Sequence, residues 1–170
     1  MDPVASTTAV WRAAAERNDV AAASRCLADG VVMVSPLTSA FRFRGTAEAN
    51  DVLAAAFEVL SEIRFHTEVG DDRTRALFYY ARCGSEPLEE AQLLRFDPDG
   101  QITELTLFVR PLPGVTAMMA AIGPKLLKRQ RKPGLARVIA GATAPLAALT
   151  RLGERHLVPL TDPSRDSARD

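Results

Sequence analysis

The sequence predicts an α+β domain, and three observations lead there. Residues 6–60 hold three helical patterns and two short strands, residues 63–110 switch to a period of two, and no strand–helix–strand alternation of the kind a parallel sheet needs is present. The 170 residues suit one domain with a tail. Apolar residues at 47% and charged residues at 25% exclude a mainly disordered chain.

The first helix is expected over residues 6–17, capped by Ser6 or Thr7, with Val10, Trp11, Ala14 and Ala15 spaced for one buried face. Asp19 can cap a second, with Gly30 as its left-handed stop. Residues 31–35 read as a strand ended by Pro36, which holds Ser35 extended. Phe41 and Phe43 alternate with Arg42 and Arg44 as in a half-buried strand. Thr46 then caps a third helix with Val52, Leu53, Ala56, Phe57 and Leu60 along its apolar face. Four longer strands follow, IRFHTEV, ALFYYARC, LEEAQLLRF and ITELTLFVR, separated by Gly-, Asp- and Pro-rich turns.

From Pro111 the texture changes. Residues 1–123 hold 11 Lys/Arg against 17 Asp/Glu, while residues 124–170 hold 10 against 4. Leu135, Val138, Ile139, Ala142, Leu146 and Leu149 recur at helical spacing, with Pro145 expected to kink or split that helix. The expected organisation is a domain over residues 1–112, a basic, partly helical extension over 113–160 and a disordered tail over 161–170. The extension is expected to pack on the acidic body or on a second subunit. Its charges lack interleaved aromatics, so no nucleic-acid partner is expected, and contact with a membrane surface is the lesser alternative. The apolar run over residues 138–149 is about half of the ~20 residues a spanning helix needs, so no transmembrane segment is expected. Cys26 and Cys83 have no second Cys or His nearby, so neither a disulfide nor a metal site is expected, nor any cofactor. With no secretory signal in MDPVASTTAV, a cytoplasmic location is expected.

The stretch LADGVVMVSPLTSAFRFRGTAEANDVL, with its LADG-strand-x-P-x-F-x-G-T-helix signature, resembles the nuclear transport factor 2-like superfamily over roughly residues 5–112. The superfamily includes ketosteroid isomerases, SnoaL-like cyclases, epoxide hydrolases, dehydratases and non-catalytic binding modules. The resemblance implies a curved antiparallel sheet and three helices forming a cone around one apolar pocket. In the ketosteroid isomerases, carboxyl groups are tuned by their surroundings into a base and an oxyanion-hole donor. Laid on that pattern, the general-base Asp position holds Ser35, the oxyanion-hole Tyr position holds Trp11, and the second oxyanion-hole position holds Gln92. A serine hydroxyl without a neighbouring base cannot take a proton, while an indole or amide N–H can still donate to a ligand.

Pocket-lining side chains are expected to be Trp11, Met33, Ser35, Gln92, Leu94, Leu105 and Leu107, although Trp11 reads equally as a core aromatic. Glu90 shares the inward parity of Gln92, near the mouth, and the inward set is otherwise apolar. Catalytic candidates are few. His66 reads either as a general base tuned by Glu68 or as part of a solvated stripe with Arg64 and Glu68, and the alternation with Ile63, Phe65, Thr67 and Val69 favours the stripe. Tyr80 is the other candidate, with the inward parity of Tyr79 and Tyr80 left open. Glu104, Thr106, Phe108 and Arg110 fall on the outer sheet face, which the resemblance makes a homodimer surface. Two functions follow. One is binding of a small hydrophobic molecule without ketosteroid isomerase-type proton transfer. The other is a SnoaL-like isomerase, cyclase or dehydratase acting on a polyketide- or terpenoid-like carbonyl compound. The missing acid and base favour the first.

Overall fold

A computed structural model describes residues 2–163. Helix α1, Pro3–Glu16, starts earlier than the periodicity suggests, because Asp2 caps it by accepting from the Val4 N–H at 2.9 Å, with Pro3 preset in the first turn. Helix α2, Val20–Ser24, is capped by Asp19 but lasts only five residues. Strand β1, Leu27–Val34, then absorbs Gly30, which is a strand residue and not a helix stop. The competing interaction is pairing of Leu27 with Ile102 on a distant strand.

Strand β2, Phe43–Arg44, leads into α3, Gly45–Phe57. Thr46 is not its cap. Instead Glu48 reaches back to accept from the Arg44 N–H at 2.8 Å. Strands β3 (Leu60–Gly70), β4 (Thr74–Cys83), β5 (Glu86–Phe96) and β6 (Ile102–Arg110) form an antiparallel meander. The sheet order is β2-β1-β6-β5-β4-β3. Its β1–β6 pair is parallel, so the sheet is mixed where an antiparallel one is expected.

Beyond residue 111 lie α4, Leu112–Arg129, and α5, Pro133–His156, ending in a 3-10 turn, Val158–Thr161. Pro145 does not split α5. Ala136 and Ala147 are buried on either side of it, and the Thr150 and Thr116 hydroxyls meet at 2.7 Å, so packing on α4 holds the helix through the proline. The span Pro133–Thr161 is also long and apolar enough to cross a membrane by length and composition. The run over residues 138–149 is short when measured by its large apolar side chains alone, and intervening Ala and Gly extend it. The expected tail falls largely on residues 164–170, outside the described residues.

Two apolar clusters fill the interior. Trp11, Val31, Leu77, Leu94 and Ile102 anchor one end, beneath α1 to α3. Leu60, Ile63, Ala81 and Leu88 meet Met118 and Ile122 of α4 at the other. Helix α4 therefore packs into the body across the boundary drawn at residue 112.

Candidate functional site

The inward face of β5 reads Leu94, Gln92, Glu90, Leu88, all buried. Apolar residues close each end, and a polar pair sits between them. The Gln92 side chain is oriented by the Trp11 indole, whose Nε1–H donates to Gln92 Oε1 at 2.8 Å. That fixes the amide nitrogen toward Glu90, and Gln92 Nε2 donates to Glu90 Oε1 at 2.9 Å. Tyr79 lies directly opposite Glu90 across the β4–β5 ladder and hydrogen-bonds its carboxyl.

Glu90 is only 2% exposed. Burial drives its carboxyl up to about 7, against the smaller lowering by the Gln92 and Tyr79 hydrogen bonds. The Tyr79 phenol is pushed well above its ordinary value by burial and by the Glu90 charge, so it stays a neutral donor. These two side chains and Gln92 face a cavity of about 190 Å³. Ser35 and Thr38 are the other polar side chains on its wall. Met33, Leu105 and Leu107 line it from β1 and β6, Val52, Leu53 and Phe57 from α3, and Met118, Ile122 and Leu126 from α4. Phe41, 55% exposed, marks the rim.

Of the residues expected in the pocket, Met33, Ser35, Gln92, Leu105 and Leu107 line this cavity. Trp11 and Leu94 do not. Both are core side chains, and Trp11 reaches the site only through Gln92. The Ser35 hydroxyl accepts from the Leu37 N–H at 3.1 Å, as a local turn would have it.

The two catalytic candidates sit elsewhere. Tyr80 is 56% exposed on the outer sheet face, while Tyr79 is the inward tyrosine. His66 stacks on Tyr80 with ring centroids 4.3 Å apart, and its Nε2 lies 3.3 Å from Glu89. His66 faces outward by alternation after Phe65, and a bulge begins at it. Phe65 pairs with Tyr79 and Thr67 with Phe78, so His66 is an extra residue in β3 and alternation breaks there. Glu68 consequently faces the opposite side from His66, toward α1. Burial raises the Glu68 carboxyl, but hydrogen bonds from Arg75 and Thr8, with the Arg75 charge and Arg12, hold it below its ordinary value. It pins α1 to the sheet and has no part in the cavity.

Glu90 is the buried carboxyl whose weight the sequence conceals. Its parity is visible, but its depth is not, because α4 supplies the covering apolar surface from outside the expected domain.

No family model matches the sequence, and no curated protein does. Solved structures do match. A steroid delta-isomerase from Pseudomonas aeruginosa superposes with a TM-score of 0.66 at 26% identity, covering 77% of this chain and 93% of that one. A cystatin-like-fold protein from Silicibacter pomeroyi gives 0.70 at 22% identity, covering 74% and 88%. A nuclear transport factor 2-like protein of unknown function from Cytophaga hutchinsonii gives 0.55 at 14%, covering 65% and 92%. Its helices and curved six-stranded sheet are assembled as in these solved structures, so the chain has the nuclear transport factor 2-like, cystatin-like fold.

Proposed function

We propose that the protein binds a small, mostly apolar carbonyl compound and moves a proton on it, with Glu90 as acid and base and Tyr79 as the donor to the carbonyl oxygen. The observation that carries this reading is a buried carboxyl that titrates near 7 inside an apolar cavity, beside a neutral phenol. Ionised Glu90 would take a proton from the carbon next to the carbonyl. As Glu90 becomes protonated, Tyr79 would turn its single O–H from that carboxyl to the oxygen where negative charge gathers, and protonated Glu90 would return the proton to a different carbon. The net change is an isomerisation, with no atom gained or lost. Gln92 holds the carboxyl in place, and Trp11 holds Gln92. Ser35, at the position where the ketosteroid isomerases keep their base, contributes wall.

This reading favours the isomerase alternative over binding without proton transfer, because β5 carries an acid–base group that the ketosteroid isomerase positions lack. Similarity to a protein named steroid delta-isomerase supports the reaction class. The cavity supports a smaller ligand, since about 150 Å³ already accommodates benzene and this one offers about 190 Å³. One or two rings fit its size better than four.

The test is double-bond migration in a β,γ-unsaturated cyclic ketone, followed by ultraviolet absorbance. Turnover should rise with pH through about 7 and fall by about 100-fold or more in Glu90→Gln. Wild-type turnover in Glu90→Gln overturns the assignment, and ligand binding with no turnover returns the function to binding alone.

A homodimer through the outer sheet face is proposed with it. Tyr80 and Phe108 are each more than half exposed there, and Glu89 joins His66 to Arg110. A monomer by light scattering at micromolar concentration removes the proposal. A cytoplasmic site of action is also proposed, and two buried free thiols support it.

A further inference from the structure

We infer that the outer face of α5 and the turn after it dock on an anionic lipid surface, lying along it. Packing accounts for only one side of α5. Ala136, Ala147 and Thr150 face α4, and Arg151 reaches Glu86 on the body at 2.5 Å. On the opposite side Leu135, Val138, Leu146, Leu149 and Leu152 follow one another at helical spacing, between 43% and 65% exposed. Leu157, Val158 and Leu160 continue the exposed apolar surface into the 3-10 turn. Among the described residues, nothing covers this stripe.

Charge decides the occupant. Residues 124–163 hold eight Lys/Arg against two acidic residues, Glu154 and Asp162. Lys128, Arg131 and Lys132 stand exposed at the junction of α4 and α5, and Arg137 and Arg155 flank the apolar stripe. An anionic bilayer satisfies both features together, because its headgroups take the cations while its acyl boundary takes the leucines. A second copy of the same helix would bring two basic arrays together. The length of α5 does not make it a span here, since its inner face, with Ala136 and Ala147, is occupied by α4.

The experiment is co-sedimentation of the full chain with phosphatidylcholine vesicles, with and without about 30% phosphatidylglycerol. Binding should be at least about tenfold stronger to the anionic vesicles and should weaken with added salt. The double variant Leu149→Glu/Leu152→Glu, both at exposed positions, should lose that binding while keeping the wild-type melting temperature. Charge reversal of Lys128, Arg131 and Lys132 to Glu should lose it too. Absent binding, or equal binding to both vesicle types, overturns the inference. So does a dimer that the leucine variants dissociate, which would make the stripe a contact between copies.

Discussion

Moving the Glu90 carboxyl from 4.5 to about 7 means that the folded chain holds this proton more tightly than the unfolded chain does. The stability it contributes is fully present below the unfolded value of 4.5 and is lost as pH rises through the folded value near 7. The loss is about 3 kcal/mol by the usual conversion of pKa into free energy. Glu90→Gln keeps an oxygen that can accept from the Gln92 amide and removes the charge. Denaturant unfolding should therefore show the variant more stable than wild type at pH 8, with the pH dependence between 4.5 and 7 flattened. A second change separates proton transfer from polarisation. Tyr79→Phe removes a hydrogen bond that lowers the Glu90 value, so the pH–rate midpoint should move upward while turnover drops by about tenfold.

Element by element, local signals account for much of the chain. The four long strands announce themselves by alternation and turn chemistry, and their inward residues Leu105, Leu107 and Gln92 follow from parity. What parity cannot foresee is a bulge. One inserted residue at His66 exchanges the faces of everything after it on β3, and His66 and Glu68, neighbours by alternation, separate across the sheet. Helix boundaries depart from local signals for a similar reason. Long-range pairing of β1 with β6 outcompetes the helical propensity of residues 25–29. Close approach is equally invisible in sequence. At Gly114 an added Cβ would meet Leu88 Cβ at 2.8 Å, so glycine lets α4 lie against β5. Gly114→Ala should cost about 1–3 kcal/mol in unfolding free energy and loosen the α4 wall of the cavity, read as weaker ligand binding. Pro145→Ala acts in the other direction. It restores a hydrogen bond in an exposed part of α5 and should stabilise the helix, by up to about 3 kcal/mol in helix propensity, measured as greater ellipticity and a higher melting temperature.

Across the whole molecule, the opposite charges of body and extension meet where the two parts touch. Glu58 pairs with Lys125 and Arg129, and those contacts hold its carboxyl below its ordinary value. The pairs are exposed, so they orient the extension more than they bind it, and buried Ala117, Met118 and Ile122 carry the attachment. Thermal melts in ~1 M salt should accordingly leave the melting temperature almost unchanged. The extension thus completes the cone: Met118, Ile122 and Leu126 of α4 close the apolar wall that α3, β1 and β6 begin. The indole that begins the hydrogen-bond chain has one more consequence. Trp11 is the sole tryptophan in the sequence and is 1% exposed, so the protein carries a built-in optical reporter wired to the Glu90 carboxyl through one amide. Its emission should step with a midpoint near pH 7 in the native protein, and the step should vanish in Glu90→Gln, giving a readout of the proton that needs no substrate.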